Sequence, residues 1–349
     1  MNQIIGGGNK NGNTSSPGAN SPIPAFDARP EGAVAVESYS PIPQNVAPIW
    51  PMDSPLDLSI YVSPSLVMAR LKSAPADSLV VQEKDFKIGD WNDKREIDTS
   101  FPVPAEVQQN GTLWAHFYVA LAGHELDPTA KGYNAAKAYH FFRPLNVVLP
   151  KKKVVKTKKL LGGSDNTEEV AQDTTSGPTF TSYYHPNFTL SIIPDSGILN
   201  YPSLHPAVRQ FLVLESSGAR DASGQNGWYY PIFFVNTFWQ LRDHMTELNS
   251  TVKRLPLHIS FNNLNNWKFN LYASLDEGMK QNQKQAASGG MTTSGDGSEF
   301  EEFKRILVDT NIYLLSTTAV VSLLHTVFEM LAFKSDIVRL CSTSSIFQC

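Results

Sequence analysis

The chain has 349 residues, 41% of them hydrophobic and 18% charged, with a formal net charge of −4. That balance supports a buried core and gives no global argument for binding nucleic acid or an anionic membrane surface. Two cysteines, Cys341 and Cys349, lie in the last ten residues, so no disulfide framework can hold the body of the chain together.

Residues 1–48 contain "GGGNKNGNTSSPGANSP" and are rich in Gly, Asn, Ser and Pro. They lack the apolar stretch of a signal peptide and predict a disordered tail. From "LDLSIYVS" (56–63) the texture changes to short, alternating, β-branched and aromatic runs. The expected strands are Leu56–Val62, Leu113–Leu121, Ala138–Phe142, Leu145–Leu149, Phe188–Ile193, Tyr229–Val235, Leu257–Phe261 and Trp267–Leu275. Asn110-Gly111 and Asn226-Gly227 are turn signals between them. No long amphipathic helix alternates with these strands. Residues 49–276 therefore predict one all-β domain, an antiparallel β-sandwich of jelly-roll-like kind.

Interruptions come next. "KKKVVKTKKLL" (151–161) holds six lysines, read as a solvated loop, with an anionic headgroup or nucleic acid as the functional alternatives. It lacks the interleaved aromatics that single-strand stacking needs, and nucleic acid is not expected as a partner. Residues 162–178 predict a surface loop and 277–305 a flexible linker.

Catalytic patterns are missing. There is no G-x-S-x-G, "HELDP" (124–128) fails the zinc-protease spacing, and Gly7 to Gly12 lacks the Lys-Ser/Thr of a phosphate loop. A non-enzyme without cofactor or metal is expected. Four N-x-[ST] sequons occur, at Asn13, Asn110, Asn187 and Asn249. Asn13 falls in the tail. Asn110, Asn187 and Asn249 fall at turns or strand starts, where a glycan could be attached if the domain is lumenal or extracellular. The aromatics of 226–241 and 265–274 fit a strand-paired core, and a carbohydrate-binding face would look the same.

Residues 306–337 carry the most apolar run, "IYLLSTTAVVSLLHTVFEMLAF" (312–333). As a helix its 22 residues cover roughly 33 Å, enough for a hydrocarbon core of about 30 Å. Its eleven Ile, Leu, Val and Phe residues contribute roughly −3 to −7 kcal/mol to insertion, against about +3 for one central charge. The competing reading is a buried core helix. Thr318, Ser322, His325 and Glu329 fall within about 60° of one another around the axis, a polar stripe that should face other helices or a wet cavity. Residues 338–349 form a divergent tail.

Five ordered segments carry a resemblance: "QQNGTLWAHFYVA" (108–120), "HPNFTLSII" (185–193), "YYPIFFVNTFW" (229–239), "WKFNLYAS" (267–274) and "VVSLLHTVFEMLAFKSDI" (320–337). Over roughly residues 56–337 the chain resembles the cleft lip and palate transmembrane protein 1 family. The resemblance implies a lumenal β-domain, a membrane location in the endoplasmic reticulum, and cytosolic residues after the helix. It also implies two activities, flipping of glycolipids such as glucosaminyl-phosphatidylinositol and control of receptor trafficking. The expected partners are the lipid bilayer, a glycolipid headgroup and client receptor subunits. Two departures stand out: no apolar segment precedes the β-domain, and no further spanning helix follows Ile337. They predict a shortened product, whose polar stripe is addressed to helices outside this sequence. The alternative is a soluble or secreted β-sandwich that binds carbohydrate.

Overall fold

The computed structural model describes residues 23–29, 34–68, 70–151, 180–287, 302, 304–306 and 310–344. The chain divides into two compact units, residues 1–236 with 247–274, and residues 237–246 with 275–349.

The first unit is built from short strands. In chain order they are β1 (Asn45–Pro48), β2 (Pro55–Ser63), β3 (Leu79–Lys87), β4 (Arg95–Pro102), β5 (Trp114–Leu121), β6 (Ala138–Pro144) and β7 (Asn146–Pro150). Then follow β8 (Phe180–Tyr184), β9 (Asn187–Ile193), β10 (Leu199–Asn200), β11 (Gly227–Tyr229), β12 (Ile232–Asn236), β13 (Thr246–Glu247) and β14 (Arg254–Asn263). Two four-stranded sheets, ordered β3-β2-β5-β6 and β12-β9-β14-β4, form its centre. Smaller sheets are ordered β10-β1-β11 and β13-β8-β7. Most pairs are antiparallel, as expected, but β9 with β14 and β1 with β11 run parallel.

Side-chain alternation fixes which face is buried. Along β14, Leu255, Leu257, Ile259 and Phe261 point inward while Arg254, Pro256 and His258 point to solvent. The two large sheets meet through aromatic rings. Phe86 of β3 lies 4.0 Å from Phe261 of β14, Phe141 of β6 lies 5.4 Å from Phe233 of β12, and Phe117 of β5 lies 5.9 Å from Phe188 of β9. These pairs sit in one continuous apolar cluster between the two sheets.

Three expectations need correction. The first concerns Trp267–Leu275, expected as a strand and found inside a helix, Asn266–Ala287. Phe269 and Ala273, four apart, are its buried positions, with Asp276 following, which is helical spacing. The side chain of Asp195 accepts from the Asn266 amide at 2.8 Å and so satisfies an orphan donor at the helix start. The same helix fills residues 277–287 of the expected linker. The second concerns Tyr229–Val235, which is interrupted between β11 and β12 at Pro231, a residue with no N–H to give a ladder.

The third is the tail expected over 1–48, because residues 23–29 and 34–48 are built into the fold. Phe26 is buried and packs edge-on against Trp228 at 5.4 Å, and the Trp228 indole donates to the Pro24 carbonyl. Arg220 ties down the following strap by donating to the carbonyls of Ser40 and Pro41. Gly224 closes this contact. Its φ is +75°, and a Cβ there would stand 2.2 Å from the Ser38 carbonyl oxygen. Gly123 has a similar φ of +80° with nothing within 4 Å. Gly224→Ala is therefore expected to cost about 1–3 kcal/mol more than Gly123→Ala in chemical denaturation. Equal costs for the two would mean that the 34–44 strap is not seated on the domain.

In the second unit, Asp276 accepts from the Thr237 hydroxyl at 3.0 Å and pairs with Lys280 at 2.5 Å. Lys304 is buried and donates to the Gln240 carbonyl. The unit ends in a second long helix, Ile312–Ser344. Numbering the described helices in chain order gives α1 (Ala105–Gln108), α2 (Pro206–Arg209), α3 (Asn266–Ala287) and α4 (Ile312–Ser344). The lysine run beyond Lys151, the loop at 162–178 and the last five residues lie outside the described residues.

Candidate functional site

Helix α4 starts at an Asn cap. The Asn311 side chain accepts from the Tyr313 amide at 2.9 Å, and no Gly or Pro interrupts the residues that follow. Residues Tyr313–Ser335 are long and apolar enough to cross a bilayer, with a mean hydropathy of 1.5. None of that apolar window is buried within the protein. A core helix of a soluble domain would bury one face, so the buried-helix reading does not describe α4. Leu314, Leu323, Phe328, Met330 and Phe333 stand more than 60% exposed on its surface. An apolar surface of this extent is covered by lipid or by other apolar helices.

The polar residues inside the segment are largely satisfied within the helix. The Thr318 hydroxyl donates to the Leu315 carbonyl at 2.8 Å, and Thr326 donates to the Ser322 carbonyl at 3.0 Å. His325 and Glu329 form an i,i+4 pair at 3.1 Å. Thr318, Ser322, His325 and Glu329 thus lie together on one helix face, all exposed. Sequence spacing locates the stripe. It does not reveal that Thr318 folds back onto the backbone, which lowers the cost of placing it in hydrocarbon.

The three domain sequons are all exposed. Asn110 has φ +66° at the turn before β5, and its side-chain oxygen accepts from the Ser182 amide at 3.1 Å. Asn187 opens β9. The Asn249 oxygen accepts from the Thr251 amide and hydroxyl, an Asx turn closed within its own sequon. Asn13 lies outside the described residues.

The aromatic run 226–241 is mainly core. Trp228, Tyr229, Tyr230, Phe233, Phe234 and Phe238 are buried, while Trp239 is exposed. Among the described residues no cluster of His, Cys, Asp and Glu has the arrangement of a metal site.

A stacked histidine pair was not singled out from sequence. His116 of β5 and His140 of β6 lie with rings 8° from parallel and nitrogens 3.2 Å apart, and Tyr118 stacks on His140 at 4.4 Å. The Ser65 carbonyl only accepts, so His116 Nε2 carries the proton in that 2.9 Å bond. Neutral His116 then accepts at Nδ1 from His140 Nε2–H. Burial pushes the His116 value below the usual range, and burial with the His116 neighbour takes His140 down to about 4. Two neutral imidazoles in this setting form a structural latch on the outer face of the sheet. The alternation Trp114, His116, Tyr118 was the available signal, because it gives the outer face of β5 an unusual aromatic and imidazole load.

Residues 8–339 match the family profile described as Cleft lip and palate transmembrane protein 1. The chain is 31% identical over 303 residues to "CLPTM1-like membrane protein cnrB" of Dictyostelium discoideum, covering 85% of this chain and 44% of that protein. It is 26% identical over 286 residues to "Lipid scramblase CLPTM1L" of Bos taurus and 24% identical over 286 residues to the protein of the same name in Homo sapiens. Each of these covers 81% of this chain and 48% of the relative. The chain thus spans about half the length of the curated relatives it matches. No solved structure matches it at a significant level. A profile match across nearly the whole length, carried by a β-rich body and an exposed apolar helix, places this chain in the cleft lip and palate transmembrane protein 1 family.

Proposed function

We propose that this chain is a membrane-anchored, non-enzymatic module that takes part in moving lipids between leaflets. The observation that carries the proposal is α4, whose exposed apolar surface bears a line of polar groups on one side. Relatives named lipid scramblase support the direction of the reading. A polar headgroup crossing hydrocarbon needs a continuous polar path, and a single helix can supply only one wall of it. The face bearing Ser322, His325 and Glu329 is that wall, and other membrane helices complete it.

At finer grain, the proposed location is the endoplasmic reticulum membrane, with the β-domain lumenal and residues 334–349 cytosolic. A glycolipid such as glucosaminyl-phosphatidylinositol is the proposed cargo, and retention of client receptor subunits is a second role for the same β-domain. The test is reconstitution of the full chain in vesicles with a fluorescent headgroup-labelled lipid and an impermeant quencher. Loss of outer-leaflet signal only is expected from this chain alone. Quenching of both leaflets is expected when it is co-reconstituted with a longer relative, at a rate above that of the relative alone and slowed when this chain carries His325→Leu with Glu329→Leu. A double variant that scrambles at the wild-type rate would refute the role given to the stripe.

The lumenal placement makes its own prediction. Asn110, Asn187 and Asn249 are exposed and are expected to carry glycans once the domain is delivered to the lumen by an efficient signal sequence. Endoglycosidase treatment should raise mobility in a gel by up to three steps, and Asn→Gln at all three sites should abolish the change. An unglycosylated product in the signal-bearing form would reject these acceptors.

A further inference from the structure

Away from α4, the first unit contains an open cleft of about 350 Å³ whose lining includes Trp91, Lys94, Asn263 and Lys268. Trp91 and Lys94 lie on the connection between β3 and β4, and Lys268 lies in the first turn of α3. We propose that this cleft binds a phosphorylated sugar or polyol, its ring against the Trp91 indole and its phosphate between Lys94 and Lys268.

The cleft is held open by its own hydrogen bonds. The Asn263 side chain accepts from the Gly89 amide at 2.9 Å and donates to the Lys87 and Asp90 carbonyls at 3.1 and 2.8 Å. One asparagine thereby pins the β3–β4 connection to the end of β14. On the other side, Asp195 holds the start of α3. A ligand would meet a site already in shape, so little of its binding energy is lost to ordering.

The charges point to an anion. Neither Lys94 nor Lys268 is in an ion pair among the described residues. The acidic groups close by in sequence are already engaged: Asp93 and Glu83 bind Arg95, Asp90 takes the Asn92 amide, and Asp195 takes the Asn266 amide. The Arg95 guanidinium holds the Asp93 carboxyl below its usual range, so that acid stays committed. Two ammonium groups without a carboxylate partner at one cleft are a phosphate-binding arrangement, and the Lys268 ammonium also lies 5.6 Å from the centroid of the Trp267 ring. Trp91 is 43% exposed, far from the buried indoles of Trp50 and Trp228. A flat indole beside cations accommodates a ring that is apolar on its faces and hydroxylated at its rim.

The inference is independent of how α4 sits in a membrane. The ligand has two sources, a soluble sugar phosphate or the headgroup of a phospholipid, and the experiment separates them. Detergent-solubilised full chain is titrated calorimetrically with inositol 1-phosphate, glucose 6-phosphate, inorganic phosphate and dihexanoyl-phosphatidylinositol. Dihexanoyl-phosphatidylcholine serves as the lipid control. Saturable binding of a sugar or inositol phosphate, at least tenfold tighter than inorganic phosphate, is expected. Lys94→Gln with Lys268→Gln should weaken it more than tenfold, and Trp91→Ala several-fold, with Trp91→Phe restoring most of the loss. Thermal melts of each variant check that the fold is kept. Binding of the short-chain inositol lipid alone would assign the lipid source. No saturable binding by any ring phosphate, or inorganic phosphate binding equally well and indifferent to Trp91, would overturn the site.

Discussion

Replacing Leu323 and Leu324 with arginine is expected to move the chain from the membrane pellet to the supernatant in carbonate extraction. Both leucines lie near the middle of the apolar helix and are well exposed on its surface, at 66% and 48%. Each central arginine costs about 3 kcal/mol on the insertion scale, so the pair adds about 6 kcal/mol. That is as large as the favourable sum estimated for all the aliphatic and phenylalanine side chains of the segment. The stripe gives the contrasting variant. His325→Leu with Glu329→Leu removes two polar side chains from hydrocarbon and should leave the chain in the pellet. A double-arginine chain that stays in the pellet would mean that α4 is not what holds the protein there. A double-leucine chain that leaves it would overturn the view that the polar face serves other helices.

Strands with one face in the core were legible because alternation is a local signal. Leu56–Val62 and Leu257–Phe261 fall inside β2 and β14, where every second residue enters the aromatic core. β4 was missed. Its sequence, "REIDTSFP", turns Glu96, Asp98 and Ser100 to solvent at the edge of a sheet, and so reads as polar. β3 was missed for another reason: its pairing with β2 shifts register, so the apolar positions Val81 and Phe86 do not keep a period of two. The strand expected at 267–275 failed because Trp267, Phe269 and Leu271 alternate by chance, while burial follows Phe269 and Ala273.

The polar stripe of α4 could be found from sequence because a helix brings its members together within four turns. The cleft could not. Trp91 and Lys94 meet Lys268 only after β14 has paired beside β4 and Asn263 has captured the intervening connection. Its residues carry no spacing pattern, and an isolated "WNDK" looks like any turn. The histidine latch lies between these cases: both histidines are in recognised strands, but their stacking depends on the register of β5 against β6, where Tyr118 faces His140.

That latch sets the second large expectation, a loss of stability in mild acid. The folded His140 value of about 4 lies below its ordinary 6.5. The unfolded chain therefore takes up a proton near pH 6.5 that the folded chain refuses until about pH 4. The sign follows: stability is fully present above pH 6.5 and falls as the pH drops toward 4. At 1.36 kcal/mol per pH unit, the full loss is about 3 kcal/mol. The groups around the ring do not offset it. Tyr118 and Tyr61 have raised values and stay neutral throughout this range, and Asp127, which lies within electrostatic reach of both, is held by its hydrogen bonds to Thr129. His116 has its own lowered value and adds to the loss. Thermal unfolding of the detergent-solubilised chain, followed at pH 7.5, 6, 5 and 4.5, should show the midpoint falling through this window. In His140→Gln the side-chain amide still donates to His116 Nδ1 but takes up no proton, so the fall should shrink by more than half. An unchanged pH profile in that variant would mean that the acid sensitivity of the domain resides elsewhere and that the stacked pair is protonated without cost.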